Sequence, residues 1–155
     1  MSTSKDRSAG ILLYRWGQSS LEVFIGHMGG PFWARKQDGA WSIPKGLVEG
    51  GEDLLDTAIR EFGEEIGVPA PAIDYRLLGD FRYSSGKVVT IFIGESTLEV
   101  SDVHSEPITV EWPRGTGRMH SFPEIDEVRW VSIDEARDKL VKGQVPALDE
   151  LKDSA

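Results

Sequence analysis

The chain has 155 residues, a formal net charge of −9 and no cysteine. The missing cysteines exclude disulfide, zinc-thiolate and cysteine-nucleophile chemistry, and the acidic balance argues against phosphate-backbone binding as the main activity, because a nucleic-acid binder is ordinarily basic. At 39% hydrophobic with five Trp, it reads as one domain over 1–155 with material for a core, and no apolar run approaches the roughly 18 residues needed to cross a bilayer.

Residues 1–7 read as a frayed, disordered tail, and Met1–Ser8 lacks the apolar core of a signal peptide. Ala9–Tyr14 and Leu21–His27 are apolar, β-branched runs joined by Gly17-Gln18-Ser19-Ser20, the pattern of a strand pair around a turn. Met28–Gly39 is a loop containing Phe32-Trp33-Ala34-Arg35-Lys36. Trp41–Ile43 is a short strand stopped by Pro44. Asp53–Ile66 is a helix, with Asp53 as N-cap and acid in the first turn. Gly67 stands where a left-handed residue ends the helix, and Pro69 blocks continuation. Leu77–Tyr83 and Lys87–Gly94 are strands around Ser84-Ser85-Gly86. Ile108–Trp112 is a short strand, Pro113–Pro123 a loop, and Val128–Val131 a strand. Ile133–Leu140 and Ala147–Leu151 are helical. Strands interleaved with helices predict an α/β fold with a mixed sheet.

The Asp53–Ile66 helix carries the chemistry. At about 100° per residue, Leu55, Ile59, Phe62 and Ile66 form an apolar stripe. Glu61, Glu64 and Glu65 form a separate arc. Their i,i+3 and i,i+4 spacings make them neighbours, and like charges so placed cost helix stability. Only Arg60 is adjacent. A hard divalent cation is the natural partner, and Mg²⁺ takes carboxylate oxygens while substrate phosphates complete its shell. The preceding loop offers Lys45 as a cation for phosphate, and Gly46, Gly50 and Gly51 permit close backbone approach.

Gly46, five residues, Glu52, seven residues, and then Arg60-Glu61-Phe62-Gly63-Glu64-Glu65-Ile66-Gly67-Val68 resembles the Nudix box at every defined position. A chance match in a chain of this length is on the order of 10⁻⁷ from average residue usage. The resemblance implies a Nudix fold, an α/β/α sandwich with a mixed sheet. It implies Glu61, Glu64, Glu65 and the Gly46 carbonyl as ligands of Mg²⁺, with Mn²⁺ as a substitute. Glu52 and Arg60 would form an ion pair orienting the loop. Family members cleave a diphosphate linked to another moiety. Their general base is a box glutamate or a carboxylate on a distant loop. Here Glu124, six residues before Trp130, is the first distant candidate, ahead of Glu111 and Asp126. The flanking Gly29-Gly30-Pro31-Phe32-Trp33-Ala34, Glu111-Trp112-Pro113 and Phe122-Pro123-Glu124-Ile125-Asp126 are similar to a bacterial group of nucleotide pyrophosphohydrolases.

The segment Trp41-Ser42-Ile43-Pro44-Lys45-Gly46 is similar to the one before the box in diadenosine tetraphosphate hydrolases and diphosphoinositol polyphosphate hydrolases. Tyr83 stands near where dinucleoside polyphosphate enzymes carry a tyrosine. The implied substrate is a nucleoside or dinucleoside polyphosphate. Lys45, Trp33, Trp41 and Tyr83 are its candidate contacts, although each Trp could instead be packing. A diphosphoinositol polyphosphate hydrolase and a non-catalytic nucleotide-sensing domain are the alternatives. The expected partner is a small nucleotide or polyphosphate, without a membrane or a stable nucleic-acid partner. A cytoplasmic location is expected, and a homodimer is left open.

Overall fold

The computed structural model describes residues 7–155. Residues 1–6 of the expected tail lie outside the described residues, and Arg7 already belongs to a strand. The chain forms β1 (Arg7–Trp16), β2 (Leu21–Met28), β3 (Trp41–Ser42), β4 (Lys45–Leu47), α1 (Leu54–Ile66), β5 (Arg76–Arg82), β6 (Val88–Glu95), β7 (Pro107–Glu111), β8 (Met119–Pro123), β9 (Ile125–Ser132), α2 (Ile133–Lys139) and α3 (Val145–Ser154). A single 3₁₀ turn at Lys142–Gln144 joins the last two helices.

Seven strands make one mixed sheet along β3-β2-β1-β6-β5, with β4 pairing β1 and β9 pairing β2. The β1–β6 pair is parallel, from Arg7 opposite Val88 to Tyr14 opposite Glu95. The remaining pairs are antiparallel. Alternation along β1 sends successive side chains to opposite faces. Ala9, Ile11 and Leu13 meet Ala58, Phe62 and Ile66 of α1 on one side. Leu12 faces the other side, where Ala136 of α2 and Ala147, Leu148 and Leu151 of α3 cover Val23, Ile25, Ile91 and Ile93. The expected α/β/α sandwich is the architecture found. Pro146 sits in the first turn of α3, where its missing N–H costs nothing.

Two elements were hidden in the sequence. Within Pro113–Pro123, expected from the sequence to be loop, Met119–Pro123 pairs with β7, with Ile108 opposite Phe122 and Val110 opposite His120. Its residues, Met-His-Ser-Phe-Pro, are mostly exposed and carry no polar–apolar alternation, so its strand conformation comes from its partner. The second is β4. Its three residues lie in the glycine loop and pair Lys45 with Gly10 and Gly46 with Ala9. A Cβ at Gly10 would stand 2.6 Å from the Pro44 carbonyl oxygen, so glycine there lets the loop settle onto β1.

Candidate active site

Helix α1 begins and ends as its sequence dictates. The Asp53 carboxylate accepts from the Leu55 N–H at 3.2 Å. Gly67 is left-handed at φ 88° and donates to the Gly63 carbonyl. The buried face differs from the expected stripe. Ile59 is 39% exposed, whereas Thr57, Ala58, Phe62, Glu65 and Ile66 are buried. The helix is therefore turned by roughly 70° about its axis relative to the stripe, using 100° per residue. The turn carries Glu65 inward.

Glu65 is only 4% exposed, and its Oε1 accepts from the Lys45 backbone N–H at 3.1 Å. Burial, followed by the charge of Glu124, pushes its carboxyl up to about 8, against the pull of Lys45. Burial also raises Glu61, with Glu64 and Glu124 adding to the effect and Arg60 opposing it. Glu61, Glu65 and Glu124 thus lie within electrostatic reach of one another. A Cβ on Gly46 would overlap the Glu61 carboxylate, so the absence of a side chain at 46 lets that carboxylate lie directly on the loop backbone.

Arg60 organises the rest. Its Nε and Nη2 donate to both oxygens of Glu52 at 2.9 and 3.0 Å. Its Nη1 donates to Glu61 at 2.8 Å and Glu64 at 3.0 Å, and Nη2 also reaches the Leu47 carbonyl at 3.1 Å. The Thr57 hydroxyl donates to Glu52 at 2.7 Å. These bonds hold the Glu52 carboxyl down at about 2. They also hold the β4 loop against the helix, as the resemblance implied.

Glu61 and Glu64 open on a cleft of about 640 Å³ that Lys45, Gly46, Lys87 and Glu124 also line, among others. Among the described residues, no three carboxylate or imidazole groups form a ready-made metal cage. The donor set nonetheless fits Mg²⁺. Hard oxygens crowd a cleft with more charge than Arg60 and Lys45 neutralise, and Mg²⁺ relies on a few carboxylates plus water and phosphate.

The other expected site residues divide. Glu124 lies in the cleft, on the segment entering β9. Glu111 does not. It is exposed and accepts from the backbone N–H groups of Gly115 and Gly117, capping the tip of the β7–β8 hairpin. Asp126 is bonded to His27 Nδ1 at 2.8 Å, and His27 Nε2 lies 2.8 Å from the Lys36 carbonyl oxygen. Trp41 corrects an expectation: it is fully buried, with its indole N–H on Gln37, so it has no face to offer a substrate. Tyr83 lines the cleft but is held from behind, its hydroxyl accepting from Gln144 at 2.9 Å and its ring against Gly143. Trp33 borders a smaller hollow of about 170 Å³ that also contains Lys45, Glu65 and Glu124.

Sequence reasoning missed Glu106. It lines the cleft, and its backbone N–H donates to the Glu64 carbonyl at 2.9 Å while its carbonyl accepts from Glu124 N–H at 3.2 Å. It thereby ties the C-terminal turn of α1 to the Glu124 segment. No local pattern marks such a residue, because both bonds are backbone bonds between distant segments.

Comparison with known proteins gives a consistent result. The family model described as the NUDIX domain matches residues 5–151. A Mycobacterium tuberculosis (strain CDC 1551 / Oshkosh) protein named "Putative mutator protein MutT4" is 33% identical over 122 residues, covering 74% of this chain and 49% of its own length. The chain thus spans about half of that relative. Among solved structures, a C. elegans Ap4A hydrolase binary complex superposes with a TM-score of 0.65 at 19% identity, covering 95% of this chain and 96% of the other. The NUDIX domain of Shewanella oneidensis NrtR, complexed with ADP ribose, superposes with a TM-score of 0.63 at 13% identity, covering 96% and 86%. At these identities the superpositions establish the fold.

Proposed function

The chain belongs to the NUDIX domain family, a family of hydrolases, and from that premise we propose that it is a Mg²⁺-dependent pyrophosphohydrolase of nucleoside or dinucleoside polyphosphates. One observation carries the reading. Glu65 is buried under the Lys45 N–H and borders a small hollow with Lys45 and Glu124, and these last two also line the larger cleft with Glu61, Glu64 and Lys87. An uncompensated buried charge is costly, so the arrangement calls for a cation and suits an anion bridged through it.

Glu61, Glu64, Glu65 and the Gly46 carbonyl would hold the metal. When bound, Mg²⁺ supplies charge neutralisation at phosphoryl oxygens and a lowered pKa for water. Lys45 offers its ammonium to a non-bridging phosphate oxygen. Glu124 accepts a proton from the attacking water, whose oxygen bonds to phosphorus as the bridging P–O bond breaks and the leaving phosphate departs with the electron pair. Glu124 holds this role over Glu111, which caps a distant hairpin tip, and over Asp126, which is engaged by His27. A box glutamate is the other candidate for the base. Arg60 and Glu52 touch no substrate; they hold the loop and helix in register.

The test is incubation with Mg²⁺ and a panel of nucleoside triphosphates, diadenosine polyphosphates, ADP-ribose and diphosphoinositol phosphates, with product identification. Cleavage of the nucleoside or dinucleoside polyphosphates is expected. Turnover of ADP-ribose alone would overturn the assignment, and binding without turnover would identify a nucleotide-sensing domain instead.

A further inference from the structure

We propose that the apolar cleft between the Gly29–Trp33 segment and the β7–β8 hairpin is a single base subsite, which makes the substrate a mononucleoside polyphosphate. The proposal rests on the pyrophosphohydrolase reading above and narrows it.

The cleft is continuous with the reaction site. The hollow that contains Lys45, Glu65 and Glu124 is also bordered by Gly29, Trp33 and Ile108. Those same three residues border a further cleft of about 80 Å³, whose other walls include Phe32, Val110 and Trp112 and no charged side chain. Ile108 and Val110 are spaced two apart on β7, and Trp112 follows the strand's last residue, Glu111, at the same spacing; all three border the cleft. An extended chain from Ile108 to Trp112 runs roughly 13 Å, room for a sugar and then a base leading away from the phosphates.

Phe32 and Trp112 lie outside the core clusters, Trp33 packs partly against one of them, and the Lys36 ammonium sits over one face of Phe32, 3.5 Å from its centroid. Phe32 is 52% and Trp112 36% exposed. Phe32 and Trp33 meet edge-to-face, with centroids 4.7 Å apart. The indole N–H groups separate into two kinds. Trp41 donates to Gln37 and Trp130 to the Leu98 carbonyl. Trp33 and Trp112 have no hydrogen-bond partner for theirs among the described residues. Both indoles border the cleft, whose aromatic walls offer a heteroaromatic ring faces on which to stack.

The large cleft is lined differently. There Ser85 and Lys87 accompany Tyr83, whose ring is backed by Gly143 and whose hydroxyl is engaged by Gln144. That lining suits phosphate. With the Tyr83 ring pinned by Gly143 and Gln144, the Phe32–Trp33–Trp112 cleft is the one apolar aromatic seat bordering the site among the described residues, and a dinucleoside polyphosphate needs two.

The experiment compares wild type with Trp112→Ala, and with Trp112→Phe as the conservative control. Adenosine monophosphate has no anhydride to cleave, so its binding is followed by indole fluorescence independently of hydrolysis, with inorganic phosphate as the control ligand. Steady-state kinetics with Mg²⁺ use ATP, tripolyphosphate and diadenosine tetraphosphate. The monophosphate should bind about 5- to 100-fold more weakly to Trp112→Ala, the range for loss of one base–aromatic stack, and Trp112→Phe should restore most of it. The KM for ATP should rise by a similar factor with kcat nearly unchanged, while tripolyphosphate is unaffected. ATP should exceed diadenosine tetraphosphate in kcat/KM. Unchanged monophosphate binding in Trp112→Ala, an equal loss for tripolyphosphate, or a preference for the dinucleoside would overturn the subsite. Trp112-dependent monophosphate binding without cleavage of any anhydride would remove the hydrolase reading and leave the subsite standing.

Discussion

The Lys45 backbone N–H donates to the Glu65 carboxylate at 3.1 Å, joining the glycine loop to the most deeply buried acid of α1. The bond explains how a solvent-facing acidic helix becomes a site. Turning Glu65 inward puts its charge next to Glu61 and Glu124 and beneath a loop whose backbone is bare at Gly46. One hydrogen bond does not offset that desolvation and repulsion.

Glu65→Gln should therefore stabilise the metal-free protein. The amide oxygen can still accept from Lys45, and the cost of burying the carboxylate, or of holding it protonated below about pH 8, is gone. In a chelator the variant should melt a few degrees higher than wild type, at about 2–4 °C per kcal/mol for a chain of this size. Added Mg²⁺ should raise the melting temperature of wild type by mass action and leave the variant unmoved. A variant less stable than wild type in chelator would contradict this account of Glu65.

Gly46→Ala tests the contact on the other side of the cation site. The new methyl would overlap the Glu61 carboxylate, so either the loop or the carboxylate must move. A displacement near 1 Å at a reacting centre costs on the order of 100-fold in rate. The expected result is that loss in kcat/KM with circular dichroism unchanged.

Glu52→Gln should weaken the frame without touching the chemistry. Replacing the bidentate acceptor of Arg60 should cost about 10–100-fold in metal affinity or activity, as loss of an outer-shell partner does. The acid limb of stability should change as well. The Glu52 carboxyl is held at about 2 in the folded chain against an ordinary 4.5, chiefly by the Arg60 hydrogen bonds. Its contribution is therefore fully present above pH 4.5 and is lost as pH falls from 4.5 toward 2. Wild type should lose stability across that window by chemical denaturation, and the variant should show a shallower slope there.

The box itself was legible because its chemistry is local. Asp53, Glu52, Arg60 and the three glutamates lie within one helix and its entry, and spacing alone fixes their neighbours. The same local reading puts Leu55 and Ile59 in the buried stripe with Phe62 and Ile66. The sheet instead selects the flank formed by Ala58, Phe62 and Ile66, because that flank fits Ala9, Ile11 and Leu13. Trp41 and Trp33 were equivalent on paper. Their difference comes from pairing: Trp41 sits opposite His27 in β3, under α2 and α3, while Trp33 lies on a loop. The Glu106 bridge depends on partners far away in sequence, and the second strand of the β7–β8 hairpin has no alternation of its own to mark it, so periodicity carries no information on either.

The three distant carboxylates make a graded prediction. Glu124→Gln should lower kcat by 10²- to 10⁴-fold if it accepts the proton. Glu111→Gln should stay near wild type, because its bonds go to Gly115 and Gly117 at the hairpin tip. Asp126→Asn should fall between them by loosening His27 and the Lys36 carbonyl it faces. A loss of only a few-fold in Glu124→Gln would return the base to the box.

The most direct test of the central claim is Mg²⁺-dependent hydrolysis of a nucleoside triphosphate by wild type beside Glu64→Gln. The carboxylate arc should be needed for the cation and not for the fold. We expect wild type to release pyrophosphohydrolysis products only with a divalent cation, and the folded variant to lose more than the roughly 10–100-fold expected for an outer-shell residue. Near-normal turnover by Glu64→Gln, or hydrolysis by wild type undiminished in excess chelator, would contradict it.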